Sequence, residues 1–247
     1  MTTAPTFPML VGGRLRRAAT GRGRPVADDS GAVAGFATEA TAADVADAVA
    51  AARAALPGWS GLPADERGRI LFAVAELLDG HAELDADRWL WYAGWADKLP
   101  EVVGTARAGG GGAAWSAPRP VGVVGALVPS PRGLVEALAP ALAAGATAVV
   151  VAPHGQPRAA GLLAELLVGS ELPAGAANVL TGDLPALGPA LARADVDGFD
   201  PGDDAGDAMA VAAARGAGVL RVGTADPGVA RLRAWTTTAA VWHPAGS

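Results

Sequence analysis

The spacing of apolar residues changes along the chain near residue 120. Before that point, apolar positions recur every three or four residues over three stretches, which is typical of amphipathic helices. Residues 1–40 precede these stretches and are rich in Gly, Pro and Thr, which predicts an arm of short strands and turns. The three predicted helices span residues 42–56, 63–79 and 85–98.

Short runs of continuous apolar residues alternate with helical patterns in the second half of the chain. Strands that are apolar along their whole length are buried on both faces, and such strands separated by helices form a parallel, doubly wound sheet. A looser alternation over 235–242 predicts one more strand. The predicted strands of the sheet span 121–128, 148–151, 178–181, 196–199 and 218–222, and its helices span 134–144, 158–167, 184–192 and 204–215.

Two local features leave more than one interpretation open. The aromatic residues of the third helix (Trp89, Trp91, Tyr92 and Trp95) favour helix packing over a ligand cage, because aromatic side chains mainly supply buried area. The four glycines at 109–112 suit either a flexible linker or a tight turn. A phosphate-binding loop would require Gly-Lys-Ser or Gly-Lys-Thr after them, and neither follows.

The composition excludes several kinds of chemistry. The 247 residues include no Cys, which excludes a disulfide framework, a thiolate zinc site, an iron–sulfur cluster and a thiol nucleophile. The formal charge is −6, which gives no electrostatic reason to expect nucleic acid or an anionic membrane as a partner. The three histidines lack metal-ligand spacing, so no metal site is predicted. Neither a membrane span nor a signal peptide is visible, and we expect a cytoplasmic protein.

A series of short motifs runs in order through most of the chain. It begins with an Ala-rich helical run at 43–55, followed by Trp59 and by Leu-Pro-Ala-Asp-Glu-Arg-Gly-Arg-Ile-Leu at 62–71. The later motifs are Tyr-Ala-Gly-Trp-Ala-Asp-Lys at 92–98, Pro-Val-Gly-Val-Val-Gly at 120–125, Leu-Ala-Pro-Ala-Leu-Ala-Ala-Gly at 138–145, Glu-Leu-Pro-Ala-Gly at 171–175 and Asn-Val-Leu-Thr-Gly at 178–182. This ordered series of motifs resembles the aldehyde dehydrogenase superfamily. The series is far more specific than any single motif.

The resemblance implies an α/β fold: a Rossmann-like, parallel, doubly wound sheet with N-terminal helices and oligomerisation arms. Residues 1–104 would form the N-terminal arm and helices, 105–223 the Rossmann-like domain of the dinucleotide-binding type, and 224–247 a C-terminal tail strand, in one compact unit. The family's catalytic domain, which follows the dinucleotide domain, is expected to be missing, because the chain passes almost directly from the last predicted strand to the tail.

The groups that perform the family's reaction have no counterparts in this chain. Aldehyde dehydrogenases use a Cys thiolate as nucleophile, an Asn side chain at the oxyanion and a Glu in deacylation. The family's Asn falls on Pro131, which has no side-chain donor and no backbone N–H. There is no Cys, and no Glu follows Glu171. We therefore predict no catalytic residues.

A degenerate cofactor cleft is implied at the carboxyl ends of the strands. The family's ribose-binding Lys falls on Ala152 in this chain, so NAD(P) binding is expected to be weakened. His154 lies in the same cleft, and an exposed loop histidine is favoured over a ligand contact because loops lie at the surface. The candidate cofactor-binding residues are Pro129, Ala152, Pro153, His154, Gly182, Gly202 and Gly206.

These departures predict a non-catalytic aldehyde dehydrogenase-like protein, a pseudoenzyme similar to the non-catalytic module of family-sixteen aldehyde dehydrogenases. We expect it to be a structural or regulatory subunit that associates with a full-length aldehyde dehydrogenase paralogue or with itself. Two alternatives stay open: an NAD(P)- or nucleotide-binding module, and an aldehyde dehydrogenase that is active only when a partner completes it. Neither nucleic acid nor a membrane is expected as a partner.

Overall fold

The structure is a computed structural model that describes most of the chain. The helix predicted over 204–215, and Gly206 within it, lie outside the described residues, as does most of the strand predicted over 218–222. The described residues are 5–17, 23–27, 31–103, 105–109, 112–154, 157–202, 221–222 and 228–244.

Short strands come first in the chain, and helices follow them before the strands and helices of the second half. The first strands are β1 (Thr6–Phe7), β2 (Met9–Val11), β3 (Arg14–Arg16), β4 (Gly23–Ala27) and β5 (Val33–Thr38). The helices after them are α1 (Ala42–Gly61), α2 (Ala64–Leu78), α3 (Ala86–Ala93) and α4 (Leu99–Val103). The remaining elements are β6 (Thr105–Gly109), β7 (Gly112–Pro120), β8 (Val123–Leu127), α5 (Pro131–Ala143), β9 (Thr147–Pro153), α6 (Pro157–Val168), β10 (Ala177–Gly182), α7 (Leu184–Arg193), β11 (Gly198–Asp200), β12 (Arg221–Val222), α8 (Val229–Ala234) and β13 (Thr236–Pro244).

The main sheet confirms the predicted α/β fold class. Its strand order is β12-β11-β8-β9-β10-β2-β3, and the five strands from β12 to β10 run parallel to one another. The sequence pattern predicted short strands in the N-terminal arm but not that two of them join this sheet. β2 pairs antiparallel with β10 through Leu10 and Val179, and β3 pairs antiparallel with β2, so the N-terminal arm extends the sheet.

The core lies on both faces of the main sheet. Successive residues of β9 contribute to opposite faces: Ala148 and Val150 pack with α2, α3, α5 and α6, whereas Val149 and Val151 pack with α1 and α7. All four residues are fully buried. Burial on both faces explains why β9 reads as a continuous apolar run rather than as an alternating one.

Two smaller sheets flank this core. β1, β5 and β4 form one, and β6, β7 and β13 form the other. β6 and β7 pair antiparallel with Gly109 opposite Gly112, and the two glycines between them lie outside the described residues. β13 pairs with β7 along its whole length, from Thr236 opposite Pro120 to Pro244 opposite Gly112. The predicted tail strand is therefore present as an edge strand of this sheet.

Several helix ends differ from the predicted ones for local reasons. α1 continues past residue 56 and through Pro57 to Gly61, because Trp59 in its last turn is buried and its Nε1 donates to the carbonyl of Leu142 at 3.2 Å. α3 ends early, at Ala93, where Gly94 caps it. α5 begins earlier than the predicted Leu134, at Pro131, because proline fits the first turn of a helix. None of the helices in the described part of the chain combines the length and apolar character needed to cross a bilayer.

Candidate functional site

A polar crevice lies where the strand order of the main sheet reverses. From β8 the chain adds β9 and β10 on one side and then returns to place β11 on the other side. Ligands of doubly wound sheets bind at the carboxyl ends of the strands at such a point. The structure has a cavity of about 310 Å³ there. Its lining residues are Leu127, Val128, Pro129, Ser130, Gly133, Glu136, Ala137, Asp200, Pro201, Gly202 and Arg231.

The predicted cofactor-binding residues fall into two groups. Pro129 and Gly202 both line the crevice, on the loops after β8 and β11. Ala152, Pro153 and His154 lie at the carboxyl end of the neighbouring β9, and the backbone N–H of His154 donates to the carbonyl of Gly182 at 3.0 Å. The binding role of these residues stays a prediction, and Gly206 lies outside the described residues.

His154 is held by the N-terminal arm. Its Nε2 lies 2.9 Å from Nη1 of Arg24 on β4, and Nη2 of Arg24 lies 3.4 Å from Glu39. Because a guanidinium only donates, this contact requires Nε2 to accept and assigns the ring proton to Nδ1. Nδ1 is buried and contacts no described hydrogen-bond partner. His154 is therefore half-buried under the arm, which is more enclosed than the exposed loop position predicted for it.

Charged side chains from three parts of the chain meet at the crevice. Arg231 on α8 donates from Nη1 to Asp200 Oδ2 at 2.7 Å, and both side chains are only 12% exposed. The same nitrogen lies 3.2 Å from the carbonyl oxygen of Glu136 on α5, and Nε of Arg231 lies 3.9 Å from Glu136 Oε2. The sequence analysis did not identify these three residues, because separations of 31 and 95 residues leave no local pattern.

A second layer of contacts fixes Glu136. Arg88 on α3 donates from Nε to Glu136 Oε1 at 2.5 Å, and the hydroxyl of Tyr92 donates to Oε2 at 2.6 Å. The Tyr92 oxygen accepts from the backbone N–H of Gly228 at 3.0 Å, which fastens the start of α8 to α3. Burial and the hydrogen bond to Glu136 raise the pKa of Tyr92 to about 12. The network therefore joins α3, α5, α8 and the end of β11.

Two backbone positions at the crevice offer no free donor. The N–H of Gly202 donates to Asp200 Oδ1 at 3.1 Å. Gly202 has φ +66°, and a Cβ there would lie 2.6 Å from the carbonyl oxygen of Leu127, so the loop after β11 lies directly against the end of β8. At the start of α5, Pro131 supplies no N–H, and the Ser130 side chain makes no capping hydrogen bond. Within the described part of the chain, no three acidic or histidine side chains converge to hold a metal ion.

Comparison with known proteins identifies the family. The sequence pattern of the aldehyde dehydrogenase family matches residues 22–87 and 83–199. The mitochondrial benzaldehyde dehydrogenase of Antirrhinum majus is 32% identical over 219 residues, which cover 76% of this chain and 41% of that protein. The chain belongs to the aldehyde dehydrogenase family. A phenylacetaldehyde dehydrogenase of Pseudomonas fluorescens is 36% identical over 191 residues, covering 61% of this chain and 36% of that protein.

Solved structures of the family share the fold. The crystal structure of an NAD-dependent aldehyde dehydrogenase from Sinorhizobium meliloti superposes with a TM-score of 0.78 at 29% identity. The match covers 89% of this chain and 50% of that one. An aldehyde dehydrogenase from Brucella melitensis gives the same TM-score at 26% identity, again covering 50% of its chain. The chain thus spans about half the length of these aldehyde dehydrogenases.

The described residues that line the crevice match the pyrophosphate of the family's dinucleotide poorly. A pyrophosphate is bound by free N–H groups at a helix N-terminus and by positive charge. Here the Gly202 N–H is taken by Asp200, and Pro131 offers none. Two carboxylates, Glu136 and Asp200, line the same cavity as the single cation among its lining residues, Arg231. Each unit of negative charge placed there would be repelled by about 1 kcal/mol per carboxylate at 4 Å in water, and by more where water is excluded.

Proposed function

We propose that this chain is a non-catalytic member of the aldehyde dehydrogenase family, a pseudoenzyme that acts as a structural or regulatory subunit. The observation that carries the proposal is the loss of all three reactive groups. The sequence has no Cys and no Glu after Glu171, and Pro131 stands where the family's oxyanion-binding Asn falls. Pro131 also begins α5, so neither its side chain nor its backbone offers a donor to an oxyanion.

The proposed partner is a full-length aldehyde dehydrogenase or a second copy of this chain. The small sheet of β6, β7 and β13 supports association. Among the described strands, β6 and β13 each pair with β7 alone, so each presents an outer edge of backbone N–H and carbonyl groups. Such edges are templates for pairing with another chain unless they are covered. The length of β13, which pairs over Thr236–Pro244, makes it the longer of the two edges.

Size-exclusion chromatography with light scattering tests the association. The purified chain is run alone and after mixing with a full-length aldehyde dehydrogenase paralogue from the same genome. We expect a self-associated species or a mixed complex, and the mixed sample should contain both chains in one peak. A chain that stays monomeric in both runs contradicts the proposal.

An activity assay on the same samples separates the alternatives. The chain alone should produce no NADH from NAD and an aldehyde, because it lacks the nucleophile. Addition of the chain to the paralogue should change its stability or its rate without creating activity that the paralogue lacks. Activity that arises only in the mixture would favour an enzyme completed by a partner instead.

Nucleotide titration tests the remaining alternative. A ligand at 100 times its Kd raises the unfolding free energy by about 2.7 kcal/mol. Thermal unfolding of the chain with millimolar NAD, NADP or AMP should therefore show no shift if the crevice rejects phosphates. A clear stabilisation by one of them would instead support a nucleotide-binding module.

A further inference from the structure

The guanidinium of Arg231 donates from Nη1 to two acceptors, one on β11 and one on α5. Asp200 Oδ2 lies 2.7 Å and the carbonyl oxygen of Glu136 lies 3.2 Å from Nη1, and the Glu136 carboxylate lies 3.9 Å from Nε. The Arg231 side chain is 12% exposed, and its Nε is buried without a hydrogen-bond partner among the described residues. The Arg231 side chain of α8 is thus enclosed in the crevice as a ligand would be.

The negative charges of Glu136 and Asp200 are balanced only when a cation occupies the position of the Arg231 guanidinium. Arg88 pairs with Glu136 at 2.5 Å and leaves Asp200 as the carboxylate that depends on Arg231. Asp200 is only 12% exposed, and a buried carboxylate without a counter-ion is strongly unfavourable. The planar group of Arg231 places Nη1 against Asp200 and Nε 3.9 Å from the Glu136 carboxylate, so its delocalised charge faces both carboxylates, whereas an ammonium is a compact, strongly hydrated point charge. The arrangement therefore fits a guanidinium better than an ammonium.

We propose that Asp200 and Glu136 form a guanidinium-binding site at the carboxyl edge of the main sheet, filled in cis by Arg231. The family binds phosphate at this edge of the sheet, whereas the site in this chain favours a positively charged group. It also fastens the tail, because α8 carries Arg231 and β13 follows it directly. The assignment goes beyond the proposed subunit role and holds whether or not the chain associates with a partner.

Chemical rescue tests the site. Arg231→Ala empties it, so thermal unfolding should occur at a lower temperature than in the parent chain. Low-millimolar guanidinium or methylguanidinium should then raise the melting temperature of this variant by about 2–4 °C relative to equal sodium chloride. Ammonium chloride and NAD should not. The matched control is Arg233→Ala, which removes an exposed arginine of the same helix whose Nη2 contacts the carbonyl of Val102. It should show no rescue.

Two outcomes overturn the proposal: an Arg231→Ala variant as stable as the parent, and a variant stabilised equally by guanidinium, ammonium and sodium. If Arg231→Ala does not fold, refolding is compared in guanidinium and in sodium chloride, and recovery only with guanidinium supports the site. Arg231→Lys gives an independent test, because it keeps the positive charge and loses the planar guanidinium. It should melt below the parent chain, and equal stability of the two would contradict the preference for guanidinium.

Discussion

At the scale of single residues, buried polar groups decide local stability. Tyr92 is the only tyrosine in the chain and is fully buried, with its hydroxyl between Glu136, Arg88 and the N–H of Gly228. Ionisation of the hydroxyl removes its hydrogen bond to Glu136 and places a phenolate beside that carboxylate, whereas Arg88 and the N–H of Gly228 donate to the oxygen and favour its ionised form. Tyr92 therefore reports directly on the network that surrounds the crevice.

The tyrosine predicts how stability depends on alkaline pH. Its pKa is raised from 10.0 to about 12 in the folded chain. The folded state keeps the proton while the unfolded state loses it, so stability falls as pH rises from about 10 to about 12, by up to about 2 kcal/mol. Absorbance titration of tyrosinate measures the pKa without overlap from other tyrosines. Tyr92→Phe should abolish that titration and remove this part of the pH dependence, and a midpoint near 10 in the folded parent chain would contradict the expectation.

A pair of aspartates near the start of β8 gives a matched test of burial. Asp197 Oδ2 accepts from the backbone N–H of Val123 at 2.7 Å and from Arg53 at 2.5 Å, whereas Asp195 is 79% exposed and contacts only Arg53. Asp197→Asn should lower the free energy of unfolding by about 1–2 kcal/mol, because charge-assisted hydrogen bonds are lost. Asp195→Asn should cost less than about 0.5 kcal/mol. Urea unfolding measures both values, and equal effects would show that the contact to β8 contributes little.

At the scale of elements, the sequence predicted the strands that are buried on both faces of the sheet. It did not predict pairings between segments that lie far apart in the chain. β8 and β9 were predicted because their apolar runs are continuous. The addition of β2 to the sheet was not predicted, because its pairing with β10 joins residues that are far apart in the chain, such as Leu10 and Val179. The same limit applies to the crevice, where the loops were predicted but the partnership of Arg231 with Asp200 was not.

The docking of the tail on the sheet gives a prediction at this scale. A Cβ at Gly198 of β11 would lie 2.7 Å from the ring of Trp235, which is fully buried between α8 and β13. Gly198→Ala should therefore push the tail away from the sheet and lower the free energy of unfolding by about 1–3 kcal/mol. The control is Gly58→Ala, since a Cβ at this exposed position of α1 would meet no atom within 4 Å. It should stabilise the chain by up to about 1 kcal/mol. Chemical denaturation compares the two variants, and a neutral Gly198→Ala would show that the tail adapts without cost.

At the scale of the whole molecule, the described part of the chain has two surfaces of different character. The crevice satisfies its own charges through Arg231 and Asp200 and offers little to an external phosphate. The sheet of β6, β7 and β13 has outer edges that no other described strand pairs with. If the chain associates as proposed, the outer edges of this small sheet are the surface that we expect a partner to contact.

Hydrogen exchange locates the surface used for association. If a partner pairs with β13 or β6, amides on those outer edges become protected in the complex, because each gains a carbonyl acceptor. Amides of β9 at the centre of the main sheet should exchange equally slowly with and without the partner, since they are already paired on both sides. Exchange is measured on the isolated chain and on the complex, under identical conditions. New protection confined to the loops around Pro129 and Gly202, with none in the small sheet, would place the interface at the crevice and contradict association through the strand edges.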